Sequence, residues 1–146
     1  MKSALSLVLT LAGVCLLCGC NSFNGQWLEQ VNDTTGRRPN AIEFDGISTV
    51  WQGKFNVESG VVDAQTVQSD TYTVYLDGKT AQFGGIIAKV DGNNMRTIVA
   101  GTGERNYVKV QTGKSIFPPK ADLPKLSQAN EERAADALAS ASSGTK

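Results

Sequence analysis

"TYTVYLDGKTAQF", residues 71–83, decides the fold. Two short runs rich in Thr, Tyr, Val and Phe lie on either side of Asp77-Gly78. Such a pair between β-favouring runs marks a hairpin, because the tight turn needs residues that tolerate a left-handed backbone. A hairpin joins antiparallel neighbours, and the same pattern extends in both directions. Downstream, "IIAKV" (86–90) and "MRTIVA" (95–100) flank a second Asp-Gly at 91–92, and "NYVKVQ" (106–111) follows "GTGER" (101–105), which reads as a turn. Upstream, "QWLEQV" (26–31), "AIEFD" (41–45), "TVWQGKFNV" (49–57) and "VVDAQTV" (61–67) are separated by "NDTTGRRPN" (32–40), Gly46 and "ESG" (58–60). No proline falls between Pro39 and Pro118, as a stretch that uses its backbone donors in ladders requires.

Eight or nine short strands in residues 25–112 predict an all-β domain with a meander topology. Closing the sheet removes its exposed edges, so a small antiparallel up-and-down barrel is the expected architecture, with a flattened β-sandwich as the alternative. The 146 residues suffice for one core, and 15 glycines suit a turn-rich chain. Inward candidates are Phe44, Trp51, Phe55, Tyr72, Val74, Phe83 and Met95, with Trp51, Phe55 and Val57 on one face of their strand. These side chains either line an apolar ligand pocket or meet and fill the barrel, since eight strands leave an interior just wide enough for side chains.

Several chemistries find no support. The 14 basic and 14 acidic residues balance, which gives no electrostatic reason to expect nucleic acid. Histidine is absent, which removes the commonest metal ligand and the usual general base. Glu43 and Asp45 share one face of a strand, yet their alternation with Ile42 and Phe44 reads as the wet side of a surface strand rather than an acid–base pair. Asp77-Gly78-Lys79 and Asp91-Gly92-Asn93-Asn94 lack the ligand ladder of a calcium loop and read as turns. No enzyme activity, metal or cofactor is expected.

From Gly113 the composition changes. "GKSIFPPKADLPK" (113–125) should be extended along the barrel, and "LSQANEERAADALASAS" (126–142) predicts a weak helix with Ser127 as N-cap. Its apolar face is mostly alanine, with Leu126 and Leu138 the large residues, and "SSGTK" at the end is expected to be disordered. Residues 113–146 thus form an extended and helical tail, the kind of segment that orders on a partner.

The first residues carry the clearest signal. Lys2 precedes an uncharged apolar stretch, Ala4–Leu17, too short for the roughly 20 residues that span a bilayer. Residues 1–19 read as a cleaved signal peptide. Leu17-Cys18-Gly19-Cys20 resembles the bacterial lipobox, with Leu17 as the large apolar residue, Gly19 before the cut and Cys18 where a smaller residue is more usual. Cleavage before Cys18 would need a small residue at 17, and Cys15 lies inside the apolar run, so the resemblance makes Cys20 the acylated residue. Several acyl chains anchor stably where one binds reversibly. Residues 20–24 then form a lipidated tether. Asn21, in place of an aspartate that retains such proteins at the inner membrane of enteric-type bacteria, implies an outer-membrane lipoprotein if the cell is Gram-negative, whereas in a Gram-positive cell the same lipobox implies the outer face of the plasma membrane.

Gly25-Gln26-Trp27 resembles the Gly-x-Trp opening of the lipocalins and lipocalin-like lipoproteins. The resemblance implies that Trp27 closes the barrel floor beneath a cation, with Arg105 the matching residue and Lys109 the other candidate. It implies a membrane-anchored carrier of a lipid or small apolar ligand, with Phe44, Trp51, Phe55, Tyr72 and Phe83 around it. The competing expectation is a non-enzymatic accessory lipoprotein that docks on an envelope assembly through its surface or its tail. Palmitate-alkyne labelling in bacteria tests the anchor. The label should survive Cys18→Ala and vanish in Cys20→Ser.

Overall fold

The computed structural model describes residues 22–32 and 36–144. The expected signal segment 1–19 and Cys20, the expected acylation position, lie outside them. Nine strands form in chain order: β1 (Gly25–Glu29), β2 (Asn40–Phe44), β3 (Thr49–Asn56), β4 (Val61–Val62), β5 (Gln68–Val74), β6 (Thr80–Phe83), β7 (Ile86–Asp91), β8 (Asn94–Val99) and β9 (Gly103–Lys109). A 3-10 turn, Ala64–Thr66, precedes β5, and one helix, α1 (Leu123–Ser143), follows the last strand. Every neighbouring pair is antiparallel, and β1 pairs with both β2 and β9. With β2 on β3, eight strands close into an up-and-down barrel and β4 hangs on β3 as a short ninth.

The Asp-Gly turns close as their chemistry dictates. Gly78 takes φ +66. The Asp77 carboxylate accepts the backbone N–H of Lys79 and of Thr80 at 2.9 Å each and the Thr80 hydroxyl at 2.7 Å. Between β7 and β8, Asp91 faces Asn94 in register across Gly92, whose φ is +59. Two segments differ from expectation. Most of "VVDAQTV" leaves the sheet after Val62, because Asp63 accepts the Gln65 N–H and starts the 3-10 turn. The strand β9 begins at Gly103, so Glu104 and Arg105 belong to the wall rather than to a turn.

The core is filled by the barrel's own side chains. Phe23, Trp27, Ile42, Phe44, Val50, Tyr72, Phe83, Val90, Met95 and Tyr107 form one buried cluster, with Val74 packed against it. The Phe44 ring meets Tyr72 edge-on at 4.9 Å and Phe83 at 5.6 Å, and it lies 5.3 Å from Phe23. Each such ring contributes about 1.5–3 kcal/mol by burial, and each well-oriented pair about 0.5–1.5 kcal/mol more.

A second apolar cluster lies outside the barrel wall. Ala41, Val62, Val67, Ile116, Phe117 and Leu123 are buried there, with Trp51 and Phe55 half-buried among them. Trp51 and Phe55 therefore do not face the interior, contrary to the expectation from sequence. In the β2–β3 ladder Phe44 faces Val50, so Val50 turns inward and Trp51 and Phe55 turn outward. The segment after Gly113 covers them. It is tied down by the Ile116 N–H on the Gln26 side-chain oxygen (2.9 Å) and the Val62 N–H on the Ile116 carbonyl (2.7 Å).

Glu43 is likewise not on a wet face. It is buried on the outer wall, where Gln26 donates to it at 3.2 Å and the Lys120 ammonium approaches to 3.5 Å. Asp45 instead closes the β2–β3 turn by accepting the N–H groups of Ile47, Ser48 and Thr49.

The helix α1 starts earlier than its composition suggests. Pro124 sits in its first turn, where a missing N–H costs nothing, so the Leu-Pro pair opens the helix instead of preceding it. Ser127 is then interior, sharing a hydrogen bond with Ser69 at 2.9 Å rather than capping. Ser142 and Ser143 are helical too. Only the first turns rest on the barrel, and Glu131–Ser143 are exposed throughout. Among the described residues no helix is long and apolar enough to cross a membrane.

Phe44→Ala should lower stability in urea by about 3–5 kcal/mol, the range for a buried phenylalanine. Ile47→Ala, at an exposed turn, should change it by less than about 0.5 kcal/mol.

Candidate functional site

Strand direction alternates, so the barrel has two unlike ends. One end is apolar and sealed. Phe23, just before β1, folds beneath the barrel, and its carbonyl accepts the Trp27 indole N–H at 2.8 Å. Trp27 is fully buried there. The cation above it is Lys109, whose ammonium lies 5.4 Å from the ring centroid. Arg105 is not over Trp27. In the β1–β9 ladder Trp27 faces Lys109, and Arg105 lies further along β9 toward the other end.

That other end is a polar mouth centred on Glu29. Glu29 lies on the inward face of β1, two residues beyond Trp27, and its side chain is only 2% exposed. Its carboxylate accepts Arg37 at 2.9 and 3.2 Å and, from Asn40, the backbone N–H at 2.8 Å and the side-chain amide at 2.7 Å. Arg105 stands 4.0 Å away. Burial alone would raise the Glu29 pKa, but Arg37, the Asn40 N–H and the charge of Arg105 together hold it below the ordinary value. Glu29 is thus a fixed anion.

Lys54 follows Val50 and Gln52 on the inward face of β3, and its ammonium donates to the Asn40 side-chain oxygen at 2.6 Å. Burial lowers its pKa, and the positive charges of Arg105, Arg37 and Arg38 lower it further against the opposing pull of Glu29. The Tyr107 hydroxyl hydrogen-bonds with Thr97 and Asn40, and burial and the Glu29 charge push its pKa up. Arg38 is paired with Asp63 at 2.9 Å. Among the described residues, then, Arg37 pairs with the Glu29 carboxylate, Arg105 stands beside it, and Lys54 reaches the same cluster through Asn40.

Beside this cluster a cleft of about 460 Å³ is lined by Asn40, Gln52, Gly53, Lys54, Gln65, Thr66 and Gln68. Four amide-bearing residues, Asn40, Gln52, Gln65 and Gln68, border it together with Lys54. Gly53 is the close-packing point behind it, since a Cβ there would come within 2.4 Å of Val62. The rim turn is clamped from outside by α1, where the Asn130 amide donates to the carbonyls of Ala64 and Val67 at 3.0 and 2.8 Å.

The aromatic residues singled out from sequence do not line this cleft. Phe44, Tyr72 and Phe83 come together at the core, where they contact one another, while Trp51 and Phe55 lie on the outer wall. None of these five residues lines this cleft or the three other surface depressions bordered by Tyr107, by Gln26 and by Arg37. The mouth residues escape a reading by motif because their pairing is long-range. Only Arg105 was a candidate, and for a different place. A polar residue at the inward parity of β1, two positions after Trp27, is the one local signal that could have found Glu29. No family model, curated protein or solved structure matches the chain.

Glu29→Gln should cost about 2–3 kcal/mol near neutral pH, the range for losing hydrogen bonds to a buried charged group. Because folding lowers the pKa of Glu29, its stabilisation is full above the ordinary value near 4.5 and is lost as pH falls through the lower folded value. Denaturation curves of the two proteins should therefore converge as pH drops below about 4.5, the ordinary glutamate value.

Proposed function

We propose that the chain is a lipocalin-like bacterial lipoprotein, anchored to the envelope by acyl chains on Cys20, whose barrel binds a small polar, anion-bearing ligand at its mouth. The grouping of Lys54 and Arg105 near Glu29, beside an amide-lined cleft, carries this reading. The apolar ligand implied by the lipocalin resemblance has weaker support. Phe44, Tyr72 and Phe83 already satisfy one another at ring distances of 4.9 and 5.6 Å, and a lipid would have to displace that packing.

The mouth suits binding better than catalysis. Its carboxylate is kept ionised by Arg37, so it is poorly placed to exchange a proton with a substrate. An oxyanion would relieve the mutual repulsion of Lys54 and Arg105, and the side chains of Gln52, Gln65 and Gln68 can donate to and accept from neighbouring hydroxyls. A sugar acid has this chemistry. The anchor fixes the geometry, because the apolar floor, next to the tether, faces the bilayer and the mouth faces away. An outer-membrane position follows from Asn21 by resemblance.

A second reading, docking on an envelope protein, is favoured by α1. Glu131–Ser143 extend about 20 Å at ~1.5 Å per residue with every side chain exposed.

Titrating the mature chain with galacturonate should shift the side-chain amide signals of Asn40, Gln52 and Gln68 saturably in NMR spectra, while galactose should not. Lys54→Met should abolish the response and keep the fold. An equal response in that variant would contradict the mouth as the site. A benzophenone crosslinker at Leu138 that captures one discrete envelope protein in intact cells, with no galacturonate response, would favour the docking reading.

A further inference from the structure

The β2–β3 turn (45–48), the β5–β6 turn (75–79) and the lead-in to β1 all lie at the sealed end of the barrel, because the strands alternate in direction. At that end Ile47 is 84% exposed and Leu76 is 109% exposed, the two highest values among the exposed large hydrophobics of the described residues. The turns do not need these side chains. Asp45 holds the first turn by accepting three backbone N–H groups, and Asp77 holds the second with two N–H groups and a hydroxyl. Both carboxylates fold back into their turns and leave aliphatic tips.

A single exposed aliphatic side chain needs no explanation. Two at one end of a barrel, on well-tied turns, are a different matter when the preceding chain leads out from the same end. Phe23 is sealed into the floor, so only Asn21 and Ser22 separate it from Cys20. Three residue steps reach about 10 Å at ~3.3–3.6 Å each. A bilayer held at that distance faces the turns of this end, the polar β7–β8 turn among them, and Ile47 and Leu76 are their two most exposed large aliphatic side chains. Tyr75, 44% exposed beside Leu76, has the amphipathic ring favoured at a membrane interface, and its hydroxyl donates to Gln82 at 2.7 Å.

We infer that this end is a bilayer-docking surface, with Ile47 and Leu76 inserted as turn-tip anchors in the interfacial region of a lipid membrane. The inference rests on the acylation of Cys20 and adds to it a fixed pose, with the barrel axis upright and the polar mouth directed away from the lipid. Burial of two aliphatic tips beside the acyl chains would prevent the barrel from tumbling on its short tether.

The chain after Cys20 contains no other cysteine, so single probes can be placed cleanly. The test uses the processed full-length protein, reconstituted in phosphatidylethanolamine–phosphatidylcholine vesicles, with a bimane at Ile47→Cys, Leu76→Cys or Val57→Cys. Val57, 71% exposed, follows β3 at the opposite end. Vesicle flotation is measured on the same samples. Probes at 47 and 76 should be quenched by doxyl lipids and shielded severalfold from aqueous iodide, and the probe at 57 should show the reverse. Floating protein with all three probes equally open to iodide would overturn the docked pose and leave the anchor intact. Protein that does not float would overturn both.

Discussion

A five-residue strand, Gly25–Glu29, holds the domain closed. Among the described residues it links the strand that follows it to the strand that ends the barrel, with ladders to both. Without it the sheet would have two long edges, and the interior rings would face water through the gap. Its alternation also divides its labour. Trp27 points inward and closes the floor, Glu29 points inward and organises the mouth, and Gln26 points outward and ties the tail segment through Ser115 and the Ile116 N–H. One strand thus sets the closure, both barrel ends and the outer cover.

The two ends differ because the interior side chains change character along the axis. Near the floor the aromatic cluster meets at ring distances of 4.9–5.6 Å. Toward the mouth the inward positions become Glu29, Asn40, Gln52, Lys54, Gln68 and Arg105, and the buried one, Glu29, is tolerable there because Arg37 and Asn40 satisfy its carboxylate. Among the described residues no buried side-chain nitrogen or oxygen lacks a partner. An apolar floor at one end and a charged opening at the other give the barrel a polar axis.

Much of this was legible in the residues. The two Asp-Gly pairs give the hairpins β5–β6 and β7–β8, and the strand spacing gives the meander. Closure follows from the need to remove edges. The face of β3 was not legible, because alternation separates Trp51 and Phe55 from Val50 without saying which set is inside. Both sets are covered, one by the barrel and one by Ile116, Phe117 and Leu123, and only the latter's long-range packing resolves the choice. The same cover buries Glu43, which looks like a surface carboxylate from its local pattern. Glu29 was missed for a related reason. Its partners Arg37 and Asn40 come from the far side of a loop, and a local window cannot show a buried ion pair. The start of α1 was hidden because Pro124 reads as a breaker unless it is placed in the first turn.

The central claim is that β1 completes a closed, filled barrel. Native-state hydrogen exchange measures this directly, residue by residue. If β1 is integral, the ladder amides of Trp27, Leu28 and Glu29 should exchange only through global unfolding, at the same free energy as those of β6 and β7, while amides of Glu131–Ser143 exchange far faster. Rapid exchange confined to β1 and the facing edge of β9, with β6 and β7 still protected, would mean that the barrel opens at this strand and would contradict the account.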